Sequence, residues 1–409
     1  MNTTDTQALV LHKKHQGKLE VTSKVALKTP EDLTLAYSPG VAAPCREIHK
    51  DPAKIYDYTA KGNMVAVITN GTAVLGLGNI GAGAGLPVME GKAILFKGFA
   101  GVDAVPICLD TQDPQEVIRT VQLIAPSFGG INLEDIKAPQ CFDIEKTLRR
   151  TLDIPVFHDD QHGTAIVVVS ALINAFKLTG KSFPDAKFVV NGAGAAGQAI
   201  TRLIYSAGGR RIILCDSHGA IYRGRPDDMN PYKEDIAKIT NPDSETGTLA
   251  AVMREADVFI GVSVAGCVTP DMVRTMNKDA IVMGMANPDP EILPHLAKEA
   301  GARIVCTGRS DFPNQVNNLL AFPGIFRGAL DVRASEINEE MKVAAAQAIA
   351  GLISSEELDE DHVITSPFNP EVAPAVAKAV ADAALQTGVA RRHDITPEDV
   401  ARHTRELLK

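Results

Sequence analysis

Lys187-Phe188-Val189-Val190-Asn191-Gly192-Ala193-Gly194-Ala195-Ala196-Gly197 is the stretch on which the fold turns. An apolar run over 187–190 reads as a buried strand. Three glycines at G-x-G-x-x-G spacing follow it, and then QAITRLIYSA, a good helix sequence closed by Gly208-Gly209. Strand, tight glycine turn and helix, in that order, place the helix N-terminus against a dinucleotide pyrophosphate. Gly192, Ala193, Gly194, Ala195, Ala196 and Gly197 are therefore candidate cofactor residues. The next strand ends at Asp216, about twenty positions on, where a carboxylate can bond ribose hydroxyls. Such a carboxylate favours NAD, because it repels the 2′-phosphate of NADP. His218, Arg223 and Arg225 follow closely and could hold that phosphate, so the choice between the two coenzymes stays open.

Outward from this unit the rhythm is regular. The segments 212–215, 258–262, 281–285 and 304–306 each read as buried strands with helices or loops between them, which predicts a parallel sheet covered on both faces. Before it, 154–157 reads as a strand and 163–179 as a helix stopped by Gly180. Asp113, Pro114 and Glu116 mark another helix start. The end of the chain is alanine-rich, and its last helix is capped by Thr396 with Pro397 in its first turn. The expected fold class is α/β: a Rossmann-type doubly wound parallel sheet domain over 161–333, an α/β N-terminal domain over 1–160, and C-terminal helices, 334–409, packed on it. With 409 residues the chain exceeds the ~250–300 at which single cores stop growing.

A second G-x-G-x-x-G, Gly76-x-Gly78-x-x-Gly81, follows an apolar run over 65–68, but it leads into GAGAGLP, whose glycines and proline argue against a helix. A loop is expected there, able to line the cofactor. Two acidic pairs, Glu134-Asp135 and Asp159-Asp160, adjoin apolar segments, where unpaired carboxylates are unfavourable. Bound Mg²⁺ or Mn²⁺ resolves this, since hard cations take oxygen ligands, and capping or salt bridging is the alternative. HDDQH over 158–162 superficially resembles a zinc-protease H-E-x-x-H, but it has Asp for Glu and follows a strand, so a protease is not expected. The net charge of −9 argues against nucleic acid as partner. No apolar run suggests a secretory signal or a membrane span. Six scattered cysteines with no C-x-x-C fit a reducing compartment, hence a cytoplasmic protein.

The segments LAYSPGVAAPC, GNMVAVITNGTAVLGLGNIG, PVMEGKAILFK, FGGINLEDI, PVFHDDQHGTA, NGAGAAG, MANPDPEI and FPNQVNNLLAFPGIFRGALD together resemble the malic enzymes, over essentially the whole chain and closest to the short single-function bacterial type. The resemblance implies oxidative decarboxylation of malate to pyruvate and carbon dioxide with reduction of NAD or NADP, through oxaloacetate and enolpyruvate. It makes residues 1–160 the catalytic domain. It implies Tyr37 as general acid, Lys92 as general base, Asp159 as a catalytic position, and Glu134, Asp135 and Asp160 as ligands of Mg²⁺ or Mn²⁺. Asn287 is implied as a cofactor contact, Asn318 and its neighbour Asn317 as substrate contacts, and a homodimer as the assembly. Lys92 would need a lowered pKa to act as base. An arginine that larger relatives use for a malate carboxylate is replaced by Ala73, so backbone N–H groups near Ser38–Gly40, or Asn318, are expected to hold that group. A phosphotransacetylase-like extension is not expected. The competing readings are another NAD(P)-dependent 2-hydroxy-acid or amino-acid dehydrogenase, which needs no metal, and a nucleotide-sensing regulatory protein, which would have lost part of the Tyr37, Lys92, Asp160 set.

Overall fold

Four short strands in the first part of the chain, β1 (Met64–Thr69), β2 (Asp103–Cys108), β3 (Gly130–Leu133) and β4 (Val156–His158), pair in parallel in the order β2-β1-β3-β4 in the computed structural model, which describes residues 3–409. The register pairs Ile68 with Leu133 and Leu133 with His158, so the residues after β1, β3 and β4 emerge at one edge. Six further strands follow: β5 (Lys187–Asn191), β6 (Arg211–Asp216), β7 (Gly219–Ala220), β8 (Val258–Gly261), β9 (Ala280–Gly284) and β10 (Ala302–Thr307). They run in the order β10-β9-β8-β5-β6-β7, parallel except for the β6–β7 hairpin. Every residue of β5, β8 and β9 is buried, as strands covered on both faces require. The strand order reverses between β5 and β8, and there a doubly wound sheet opens its ligand crevice.

Two helices differ from the sequence expectation. GAGAGLP is helical after all: a helix runs over Ala82–Ala100 with Pro87 inside it. Low propensity is overridden by packing, for Met89, Ala93, Phe96 and Ala100 are buried on its inner face and Gly85 sits against Val74. Strand, glycine turn and helix therefore occur at both fingerprints. The helix expected from 163 begins earlier and spans Asp159–Thr179, with both aspartates in its first turn, where the helix dipole favours negative charge. This helix is long and apolar enough to cross a membrane, yet two thirds of its apolar window is buried inside the fold, which makes it a core helix. Asp113 caps its helix as expected, but Glu116 receives Thr111 Oγ1 instead of closing a capping box. Thr396 and Asp399 do form one.

After β10 the chain returns to the first sheet through a helix over Phe322–Asp331, all ten residues of which are buried. Phe322 and Phe326 set their rings edge-on to Phe96 at 4.7 and 5.2 Å. The other side packs on the helix Val372–Gln386, and contact is close because Gly328 lacks a side chain: a Cβ there would lie 2.5 Å from the Ala377 carbonyl. Gly328→Ala is accordingly expected to force the helices apart, at about 1–3 kcal/mol, and to lower the Tm by several degrees in a thermal melt.

Candidate active site

The edge where β1, β3 and β4 end carries the acidic pairs. Glu134 follows β3 directly and is 4 % exposed; Asp135, beside it, is 5 % exposed. Asp160 comes from the first turn after β4, and its Oδ2 accepts the Asp135 N–H at 2.8 Å. Ligand oxygens of Glu134, Asp135 and Asp160 all lie within 4.8 Å of one another. Asp135 adopts a left-handed φ of +54°, a conformation unfavourable for a residue with a Cβ, and its Oδ2 is buried without a partner. Burial, with the Asp160 carboxylate adjacent, pushes Asp135 up to about 7, and burial raises Glu134 well above the usual range. Asp160 stays low despite burial because His158 faces it, with Nε2 3.1 Å from Oδ2.

Lys92, on the helix Ala82–Ala100, reaches into this cluster. Its Nζ is 2.6 Å from Asp159 Oδ2 and 3.0 Å from Glu134 Oε1, and lies 4.2 Å from the centre of the Phe322 ring. Asn318 Nδ2 donates to the same Asp159 oxygen at 2.5 Å. Burial alone would lower the lysine pKa, but Asp159 and Glu134 outweigh it and raise it. The expected lowering is thus reversed, because the neighbours are carboxylates and not cations. The four carboxylates Glu134, Asp135, Asp159 and Asp160 face Lys92 and a His158 whose pKa is raised. With all four ionised two negative charges are left over, and a divalent cation fits both that excess and the orphaned Asp135 oxygen.

The first glycine loop lies beside this cluster and against the loop after β9. Gly76 lies against Asn287, whose carbonyl a Cβ would approach to 3.0 Å, and the Ala73 N–H bonds the Asp135 carbonyl at 3.0 Å. At the second loop the glycines have separate tasks. A Cβ on Gly192 would stand 2.5 Å from Val262 O, and one on Gly197 would stand 1.7 Å from Gly192 O, so these two permit close backbone packing. Gly194 has nothing within 4 Å of such a Cβ and opens on free space, as the glycine facing a pyrophosphate does.

Family models for the "malic enzyme, N-terminal domain" and the "malic enzyme, NAD binding domain" match residues 16–149 and 161–385. The chain belongs to the malic enzyme family. It is 64 % identical over 401 residues to the bifunctional malic/malolactic enzyme of Bacillus subtilis, covering 98 % of both chains. It is 57 % identical to an NAD-dependent malic enzyme of Geobacillus stearothermophilus, with 93 % of this chain and 79 % of the relative covered. The solved malic enzyme of Pyrococcus horikoshii superposes with a TM-score of 0.95 at 50 % identity, covering 99 % of this chain and 96 % of that one. As a malic enzyme, the chain is an oxidoreductase with an NAD(P)-binding Rossmann-type domain.

Lys92, Glu134, Asp135, Asp159, Asp160 and Asn318 are brought together. Asn317 caps the turn that carries Asn318, accepting the Leu319 N–H at 2.9 Å, and does not join them. Tyr37 stands apart: its side chain is 68 % exposed and, among the described residues, makes no hydrogen bond or ring contact. The Gly40 N–H, expected to be free for a substrate carboxylate, bonds the Thr34 carbonyl at 2.9 Å. Three supporting arrangements are not evident from the sequence, which offers His158 only in a protease-like pattern and Arg225 only as a phosphate ligand. His158 Nδ1 and Glu145 are tied through Gln161 Nε2, at 2.8 and 3.0 Å, which steadies the imidazole beside Asp160. Glu291, fully buried, accepts the N–H groups of Ser263 and Ala286 and so holds the loops after β8 and β9. Arg225 and Lys233 both lie on Asp216, which also disposes of a second acidic group, Asp216, His218 and Asp228, as a metal site.

The glycine geometry separates two substitutions. Gly197→Ala is expected to destabilise the fold by about 1–3 kcal/mol, seen as a lowered Tm. Gly194→Ala should melt like the parent while its NADH dissociation constant, from fluorescence titration, rises at least about tenfold.

Proposed function

We propose that the Lys92–Asp159–Asn318 chain and the Glu134, Asp135, Asp160 cluster form the catalytic centre of an NAD(P)-dependent oxidative decarboxylation of malate to pyruvate. The division of labour is a catalytic unit over 1–160, a coenzyme unit over 161–333 and C-terminal helices over 334–409. The carrying observation is Lys92 Nζ bridging Asp159 and Glu134 at the rim of the three-carboxylate cluster. Other dehydrogenases move a hydride without needing such a cluster.

Glu134, Asp135 and Asp160 would hold Mg²⁺ or Mn²⁺. That ion supplies Lewis acidity toward the substrate's oxygens as a hydride leaves C2 and as carbon dioxide departs. Lys92 must be neutral to take the C2 hydroxyl proton. Its own extra proton can pass to Asp159, 2.6 Å away and itself raised by burial; Asn318 Nδ2 fixes the receiving oxygen. Lys92 recharged can then return a proton toward the enol carbon through a tyrosine hydroxyl.

That hydroxyl is Tyr37, and the exposed side chain is best supplied by a second copy. Half of the large apolar side chains left exposed fall within residues 9–41, the segment that carries Tyr37. A homodimer would cover them and present Tyr37 to the partner's Lys92. A cytoplasmic setting belongs to the same reading, supported by six unpaired cysteines.

A chelator is expected to abolish pyruvate formation from malate and NAD(P), and Mn²⁺ to restore it; activity unchanged in chelator removes the metal role. Lys92→Ala and Tyr37→Phe should each lose turnover by orders of magnitude. Co-expressed, the two variants should recover about a quarter of parental activity, the statistical share of intact sites in mixed dimers. No recovery would place Tyr37 and Lys92 of one subunit in the same site.

A further inference from the structure

We propose that Arg225 and Lys233 occupy the carboxylate of Asp216, so that this end of the site does not select NAD against NADP and the enzyme uses both coenzymes with similar efficiency. This rests on the dinucleotide reading of the Gly192–Gly197 loop and sharpens it.

Asp216 ends β6, where a ribose-reading carboxylate stands in a doubly wound fold. To read a ribose it must have acceptor sites free. A carboxylate offers about four lone-pair positions, and here all are used. Oδ1 accepts the His218 N–H at 2.9 Å and Arg225 Nη1 at 2.9 Å; Oδ2 accepts Arg225 Nη2 at 2.5 Å and Lys233 Nζ at 2.7 Å. Both cationic side chains are themselves held. Arg225 Nη2 donates to the Asp228 carbonyl at 3.0 Å, and Lys233 Nζ lies 2.6 Å from Asp228 Oδ2. The guanidinium is 5 % exposed and the Asp216 carboxylate 8 %. A fork of this kind on a buried carboxylate is not a contact that a neutral hydroxyl displaces cheaply.

The charge consequence matters as much as the acceptor count. Selection against NADP by an acidic residue is electrostatic: an uncompensated negative charge repels the 2′-phosphate. Asp216 and Asp228 are balanced by Arg225 and Lys233, so the local sum is zero. Beside the carboxylate Ser217 and His218 face solvent, together with Asp228, whose carboxylate is held by Lys233 at 2.6 Å and lies 3.3 Å from His218 Nδ1. Each carboxylate at this position is therefore paired with a cation, which leaves no unpaired charge against a phosphate and no free Asp216 oxygen for a bare ribose. Arg223, which the sequence also offered as a phosphate ligand, instead donates Nη2 to the Lys238 carbonyl at 3.2 Å.

The test measures dissociation constants of NADH and NADPH by fluorescence on the full-length enzyme, with kcat/KM for NAD and NADP under saturating malate and Mn²⁺ as a second readout. The parent is expected to bind the two reduced coenzymes within about tenfold of each other, ~1.4 kcal/mol. Lys233→Met, which frees an acceptor on Oδ2 and leaves the group one charge negative, is expected to shift the ratio at least about tenfold toward NADH. Lys233→Gln serves as the milder variant should the first not fold. A parental preference beyond tenfold for either coenzyme, or a ratio unmoved by a folded Lys233 variant, overturns the proposal. Failure to bind either coenzyme would refute the dinucleotide reading instead.

Discussion

The contact between Lys92 Nζ and Asp159 Oδ2, at 2.6 Å with both side chains buried, is the constraint around which the rest of the site is arranged. It joins two long helices that begin at different strand ends of the first sheet, one leaving the glycine loop after β1 and the other leaving β4. A buried ion pair is weak support for stability as such, since desolvation offsets most of its attraction. Loss of one partner, by contrast, leaves an uncompensated charge in an apolar setting. Phe322, beneath the ammonium, and Asn318, on the carboxylate, come from a third place in the chain, after β10. The pair therefore exists only when the first sheet, the core helix and the returning segment are all assembled.

The same contact accounts for the electrostatics. Four carboxylates at one sheet edge would repel one another in a low-dielectric pocket, and burial raises three of them, Glu134, Asp135 and Asp159. Lys92 answers Asp159 and Glu134, and His158 answers Asp160. Asp135 alone has no cationic neighbour within bonding distance, and it is the residue held in a left-handed backbone conformation with an orphaned oxygen. Backbone strain and an unmet acceptor at one residue are what a pre-positioned ion ligand would show, and they support the proposed metal role.

Much of this was legible in the sequence. The strands of the coenzyme sheet were readable because continuous apolar runs between glycine turns have few alternatives. The carboxylate pairs were readable because acids beside buried strands need a reason. The helix Ala82–Ala100 was not, since glycine and proline punctuation outweighed an inner apolar face that only packing against β1, β2 and Phe322 makes decisive. The direction of the Lys92 shift was missed for a related cause. A lysine on a helix gives no sign of which charges the fold will place beside it, and Asp159 is 67 positions away. Glu291 in the PDPE segment looks like a surface acid until β8 and β9 bring Ser263 and Ala286 over it. Tyr37 is implied by the resemblance alone, because its side chain finds no partner among the described residues of one copy.

Of the two glycine fingerprints, one reads in the sequence as the pyrophosphate turn and the other as a loop able to line the cofactor, and the geometry shows what they share. Each copy turns the chain from a strand into a helix at the carboxyl edge of its own parallel sheet, and at such an edge the strand order reverses, between β1 and β3 in one case and between β5 and β8 in the other. In doubly wound sheets the ligand crevice opens at such a place. The first loop holds Asp135 through the Ala73 N–H and touches Asn287 through Gly76. A bulkier residue at 76 would push the Asn287 loop away, and with it the segment that Glu291 anchors from below. The chemistry of a hydride passing from substrate carbon to nicotinamide requires the two crevices to face each other at contact distance. Gly76, with no side chain to stand between them, is the point at which the loops after β1 and β9 come together.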